Sequence, residues 1–300
     1  MIIKNLAFSG GGSKCLSYIG CLKYFSENKL LDNLQRVIGT SGGSIFSLVI
    51  VLDYDYEDIK NLALGLNLNS LKDISVENIF QFFTNYGIDT GKKLEKLIKL
   101  LIRKKCENEN ITFLDLFKLT GIEFTVTGMC VNTSMTEYFN YLNTPNMEVW
   151  LAIRISCSIP IIYNYVKINE KTYIDGGALD NYPIEYFKDD LDNTYGFYIN
   201  DKNSKTNKIK SLDRFMFNIL VAMNKRIESM ILEKYQHCSV KIDCDINGIN
   251  FNLDNTEKQK LIDWGYKNTS EYFDKIIVKK TLDDIINKIV SINFLSTNII

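Results

Sequence analysis

Between Ile2 and Leu52 the chain twice runs from a β-rich stretch through a glycine cluster into a helix-forming stretch. Ile2 to Phe8 leads into Ser9-Gly10-Gly11-Gly12, and Lys14 to Glu27 follows with apolar Leu16, Ile19, Leu22 and Tyr24 near helical spacing. Val37-Ile38 ends a second strand, Thr40-Ser41-Gly42-Gly43 is its turn, and Ser44 to Leu52 is apolar on nearly every face. A helix of that kind is buried on all sides. Two strand–turn–helix units in succession predict parallel strands with helices packed on the sheet faces. The expected fold is α/β: a mostly parallel central sheet flanked by helices, with a helical C-terminal part.

Further along, residues 53 to 120 are mostly helical in texture, and Ile122 to Val131 is rich in β-branched residues and reads as a strand. Glu137 to Leu142 and Ile161 to Ile168 read as strands on either side of a helix over Met147 to Ser156. Tyr173-Ile174 leads into Asp175-Gly176-Gly177, and Tyr195 to Ile199 is a short strand. Helix from Ser211 to Tyr235, strand at Val240 to Ile242, and helices over Thr256 to Val278 and Leu282 to Ile292 complete the pattern. Asp201 to Lys210 has the composition of an exposed linker. The expected organisation is a catalytic unit over residues 1–200 and a mainly helical region over 201–300 packed on the same domain.

Composition removes several function classes. The chain has 300 residues, 35 basic against 36 acidic, and a net charge of −1. A dedicated nucleic-acid binder carries a basic excess, so no nucleic-acid partner is expected. The seven cysteines are odd in number and none forms a CxxC pair, which argues for reduced thiols rather than disulfides or a zinc site. The N-terminus lacks a basic region followed by an apolar stretch, and the longest strongly apolar run, Ile45 to Leu52, is too short to span a bilayer. A cytoplasmic protein, at most peripheral to a membrane, is the expectation.

Gly39-Thr40-Ser41-Gly42-Gly43 fits G-x-S-x-G directly after a strand and before a helix, the context a nucleophile elbow needs. Such a turn strains the serine and sets it at a helix N-terminus, where an alkoxide is favoured and the N–H of Gly42 can face an oxyanion. Gly10-Gly11-Gly12-Ser13-Lys14 is a second strand-to-helix turn with uncovered N–H groups. A dinucleotide fingerprint requires glycine or alanine at Cys15, and a P-loop requires GK[ST], so both match poorly. An oxyanion loop beside the elbow, using Gly10, Gly11, Gly12 and Gly42, is the most economical reading. Serine needs a base. The single histidine, His237, has no glycine or acidic motif beside it and reads as a structural or surface residue. Asp175, at a strand end and followed by Gly176 and Gly177, is the better candidate, because partial desolvation raises a carboxylate's basicity.

Taken together, these motifs resemble the patatin-like phospholipase family, from about Leu6 to about Phe187. The resemblance rests on the glycine-rich loop with Lys14, the elbow with Gly39 and Gly43, and Asp175-Gly176-Gly177 followed by Ala178-Leu179-Asp180-Asn181-Tyr182-Pro183. Arg154-Ile155-Ser156-Cys157-Ser158-Ile159-Pro160 is similar to the serine- and proline-containing segment that precedes the family's aspartate. One departure is Cys15, where the family usually has glycine. The resemblance implies a Ser41–Asp175 dyad with no cofactor or metal, acting on acyl esters of phospholipids or related lipids. A lipid acyltransferase or a catalytically silent lipid-binding protein are the competing expectations.

Two further stretches bear on a lipid surface. Gly91 to Cys106 is basic and amphipathic, with Leu94, Leu97, Ile98 and Leu101 in one stripe. It reads either as an anionic-membrane contact through Lys92, Lys96 and Lys99 or as a helix packed on the core with solvated lysines. Ile79 to Tyr86, rich in phenylalanine, is expected to pack in the core, with a lid or an acyl-chain wall as the other reading.

Overall fold

A computed structural model describes residues 2–80, 82–201, 212–246 and 251–297. The expected linker over Asp201 to Lys210 lies almost wholly outside the described residues. The strands are β1 (Asn5–Phe8), β2 (Arg36–Gly39), β3 (Gly87–Asp89), β4 (Glu123–Cys130), β5 (Met135–Phe139), β6 (Ile161–Tyr163), β7 (Val166–Ile168), β8 (Lys171–Asp175), β9 (Thr194–Asp201) and β10 (Ser239–Cys244). Among them run helices α1 (Tyr18–Glu27), α2 (Gly42–Val51), α3 (Tyr56–Gly65), α4 (Val76–Phe80), α5 (Phe82–Asn85), α6 (Lys92–Lys105), α7 (Phe113–Thr120), α8 (Val149–Ser156), α9 (Leu212–Tyr235) and α10 (Asn255–Thr297).

The main sheet has the order β10-β9-β1-β2-β4-β8-β7, with β5 beside β4. Strands β10, β9, β1, β2 and β4 are parallel, and β8, β7 and β5 join antiparallel. The expected mostly parallel α/β sheet is therefore present, with an antiparallel edge. Its central strands are covered on both faces: Leu6, Ala7, Phe8, Val37 and Ile38 are all fully buried, as parallel strands between helices must be. Under the first two turns, Phe8 meets Tyr18 and Phe46 edge-on at 5.1 and 5.0 Å and stacks on Phe197 at 5.2 Å. Each such pair contributes about 1 kcal/mol beyond its buried area, so the floor beneath both turns is rigid.

Three expectations change. Ile161 to Ile168 is two strands: β6 leaves the main sheet to pair with β3, because Asn164 donates its N–H to the Asp89 carbonyl and turns the chain. The two C-terminal helices are one, α10, since Lys279-Lys280-Thr281 holds no glycine or proline and the Thr281 hydroxyl bonds back to the Ile277 carbonyl at 2.9 Å. Of the two readings of α6, packing on the core holds for the apolar stripe, since Leu94, Ile98, Leu101 and Ile102 are buried. Of its lysines, Lys99 is held by Glu95 at 2.8 Å over the Trp150 ring, while Lys92 and Lys96 are exposed. Finally, Phe80 and Phe83 point to solvent, 81% and 83% exposed, and do not pack in the core.

The C-terminal third completes the domain core. α10 packs along α1 and on β10, and β9 and β10 extend the sheet beyond β1. Lys258 of α10 is buried and donates to the carbonyls of Leu64 and Leu66 at the end of α3, which caps that helix with a cation. All seven cysteines are buried thiols. Among the described residues no helix is long and apolar enough to cross a membrane.

Candidate active site

The turn between β2 and α2 carries Ser41 at φ 51° and ψ −127°, a conformation that L-residues seldom adopt. The surroundings over-determine it. Gly43 leaves no room for a side chain, since a Cβ there would lie 2.6 Å from the Phe8 carbonyl oxygen of β1. The Ser44 hydroxyl bonds to the Ser41 carbonyl at 2.6 Å, and the Thr40 hydroxyl accepts from Thr127 at 2.8 Å and donates to the Asp180 carbonyl at 2.9 Å. Most directly, the Ser41 N–H donates to Ser156 Oγ at 2.8 Å.

Asp175 ends β8 and faces the same point. Its Oδ2 accepts from Ser41 Oγ at 2.8 Å, and its Oδ1 accepts from the Gly177 N–H at 2.7 Å. Both side chains are nearly closed off, Ser41 at 7% and Asp175 at 5% exposure. Burial pushes the Asp175 carboxyl up from 3.8 to about 7, against the opposing effect of the Gly177 and Ser41 hydrogen bonds. A carboxylate of that basicity takes a proton near neutral pH far more readily than a solvated aspartate. The neighbouring Cys157 thiol is pushed up to about 12 by burial, so it remains protonated and is no rival nucleophile.

The loop before α1 lies alongside. Gly12 has φ +57° and Gly42 opens α2; a Cβ on Gly42 would stand 2.8 Å from Cys15 Sγ and 3.0 Å from the Gly12 carbonyl oxygen. The thiol of Cys15 therefore fits only because residue 42 has no side chain. Of the four nominated oxyanion donors, Gly10 is committed elsewhere: its N–H donates to the Asn181 carbonyl at 3.0 Å. Among the described residues the N–H groups of Gly11, Gly12 and Gly42 have no protein acceptor. Lys14 is buried in this loop at 5% exposure. Gly39 and Gly43 flank the elbow, and Gly176 and Gly177 carry the chain away from Asp175. His237 is exposed in a short turn after α9, and its carbonyl accepts from the Tyr272 hydroxyl; no hydrogen bond joins it to Ser41 or Asp175.

The serines of the Arg154–Pro160 segment carry a task that the sequence alone does not reveal. Ser156 binds the Ser41 N–H, and the Ser158 carbonyl accepts the Asp175 N–H at 2.9 Å. One turn of chain thus holds both members of the pair. It is itself anchored by buried Arg154, which donates to Ser158 Oγ at 2.5 Å and to the carbonyls of Thr90 and Asn164 at 2.9 and 3.2 Å. The only sequence signal was two serines two residues apart after an apolar helix. Glu228 of α9 was also missed: it accepts from Asn181 Nδ2 at 2.5 Å, tying that helix to the residue that holds Gly10.

Known proteins are similar to this chain in sequence and in fold. The patatin-like phospholipase family profile matches residues 6–188. An uncharacterized protein of Acanthamoeba polyphaga mimivirus is 32% identical over 286 residues, covering 92% of this chain and 95% of that protein. A probable lipid hydrolase of Invertebrate iridescent virus 6 is 29% identical over 185 residues, covering 61% of this chain and 62% of that protein. Among solved structures, VipD from Legionella pneumophila superposes with a TM-score of 0.63 at 17% identity, over 92% of this chain and 67% of that one, a likeness of fold. By its family profile and its relatives, the chain belongs to the patatin-like phospholipase family.

Proposed function

We propose that the chain is a lipid acyl hydrolase that cleaves carboxylic esters of phospholipids or related lipids, with Ser41 as nucleophile and Asp175 as its base. The observation that carries this reading is the 2.8 Å hydrogen bond from Ser41 Oγ to an aspartate whose basicity burial has raised to about 7. Asp175 takes the hydroxyl proton as Ser41 Oγ bonds to the ester carbonyl carbon. The carbonyl oxygen becomes an oxyanion facing the N–H groups of Gly11, Gly12 and Gly42. Collapse breaks the bond to the alcohol, and Asp175 returns its proton to that leaving oxygen. Water then attacks the acyl-enzyme, Asp175 takes the water's proton, and Ser41 recovers it as the fatty acid leaves. The names of relatives support a lipid ester as substrate, among them a triacylglycerol lipase of Schizosaccharomyces pombe, of whose length this chain covers 35%.

The test is a fluorophosphonate probe together with a panel of mixed-chain phospholipids. The wild type should be labelled at Ser41 and release fatty acid. Ser41→Ala should do neither while melting at the wild-type temperature. Residual hydrolysis above a trace in that variant would place the nucleophile elsewhere.

A further inference from the structure

α9 sits between the candidate active site and solvent. Its inner face reaches the site: Glu228 accepts from Asn181, and the helix packs on the turn after Asp175 and on β6. Its outer face carries a row of large apolar side chains. Phe215, Ile219, Met223 and Met230 are 45, 39, 58 and 59% exposed, and steps of four, four and seven residues put them on one stripe. Exposed Arg226 falls on the same stripe and exposed Lys225 flanks it. A second apolar group stands nearby, because β6 pairs with β3 and both α4 and α5 pack on β3. There Val76, Phe80, Phe83 and Tyr86 are 71, 81, 83 and 63% exposed. Large apolar side chains gathered at this density on one side of a protein mark an interaction surface.

The occupant follows from the surroundings. The apolar residues are interleaved with more cations than anions, exposed Lys225 and Arg226 against Glu233 on α9, and Lys92 and Lys93 just after β3 against Glu77 on α4, in a chain whose net charge is −1. Aromatic and aliphatic side chains with basic neighbours match the boundary between acyl chains and anionic headgroups. The helix bearing them is hydrogen-bonded on its other side to the residue that fixes the glycine-rich loop. We propose that the outer face of α9, together with the aromatic residues of α4 and α5, docks this protein onto an anionic lipid surface. The inference deepens the reading of the site as a lipid acyl hydrolase and rests on it.

The experiment uses the full chain carrying Ser41→Ala, so that binding is read without chemistry, and sedimentation with phosphatidylcholine vesicles made with and without phosphatidylserine. Binding to the phosphatidylserine vesicles is expected. It should fall about tenfold or more in two double variants of that chain, Ile219→Ser with Met223→Ser and Phe80→Ser with Phe83→Ser, in line with the apolar area each removes. The same pairs in the active chain should leave turnover of a soluble short-chain ester unchanged, which separates docking from misfolding. As an independent reading, Met223→Trp and Phe83→Trp keep the surface apolar, and each should give a blue shift of tryptophan emission on vesicles. Undiminished binding by both double variants, no shift from either tryptophan, or a face that instead joins two copies of the chain in solution without vesicle binding would overturn the proposal. If the Ser41→Ala chain docks through these residues while the wild type cleaves no ester at all, the hydrolase reading fails and the docking surface stands.

Discussion

Replacing Asp175 by asparagine should abolish ester hydrolysis and still make the protein more stable above neutral pH. Burial raises this carboxyl from 3.8 to about 7. Three units correspond to about 4 kcal/mol, the cost of keeping the buried group ionised. The folded chain holds this proton between about pH 4 and about pH 7 while the unfolded chain has lost it, so wild-type stability falls across that window and levels off above it. An amide has no such dependence. Its oxygen still accepts from the Gly177 N–H and its nitrogen can donate to Ser41 Oγ, so both hydrogen bonds persist. The three-unit rise is already net of these hydrogen bonds to the carboxylate, so the neutral amide should gain up to about 4 kcal/mol at the alkaline end. Thermal unfolding of both proteins from about pH 5 to about pH 8.5 reads the difference, expected to be several degrees at the alkaline end. The gain should be near zero or negative at the acid end and grow through about pH 7. A pH-independent difference, or a less stable variant at the alkaline end, would refute the assignment of a desolvated, ionisable Asp175. The same group makes soluble-ester kcat/KM in the wild type rise through about pH 7.

The remaining predictions concern the neighbours of the pair. Ser156→Val removes the acceptor of the Ser41 N–H and leaves a buried donor unpaired, at about 1–3 kcal/mol; kcat should fall at least tenfold with KM little changed, and Ser156→Thr, which keeps the hydroxyl, should recover most of it. His237→Gln should leave turnover within a few-fold of wild type, because the side chain is exposed and unconnected to the pair; a loss of order 10³, the scale of a missing general base, would revive a triad. Activity should persist in excess EDTA, since the proposed oxyanion donors are backbone N–H groups; loss that calcium restores counts against the mechanism.

Legibility in the sequence followed locality. The two glycine turns are readable because a strand, a short turn and a helix lie contiguous in the chain, and Ser41 falls where such a turn places it, while Asp175 falls at a strand end before paired glycines. What escaped notice depends on residues far apart. The bond between Ser41 and Ser156 spans 115 positions, and that between Asn181 and Glu228 spans 47; no periodicity announces either. Gly10 looked equivalent to Gly11 and Gly12 until the Asn181 carbonyl claimed its N–H. The exposure of Phe80 and Phe83 was misread for a related reason. Phenylalanine is usually buried, and a local pattern cannot tell a core from a docking face. The apolar stripe of α6 was ambiguous in the same way, and there the core prevailed.

The position of β1 sets when the site can exist during synthesis. One of its two partners lies far along the chain: β9 pairs Thr194 to Phe197 with Asn5 to Phe8. The Ser9 N–H must wait for the Phe197 carbonyl, and the Ile199 N–H in turn bonds to Ser9 Oγ. At roughly 5–20 residues per second, a nascent chain already holds Ser41 and Asp175 for about a second or more before β9 is made to pair with β1 beside the glycine-rich loop. Pairings this distant along the chain also close slowly. A growing polypeptide therefore carries the Ser41–Asp175 pair before β9 has closed the sheet beside the glycine-rich loop.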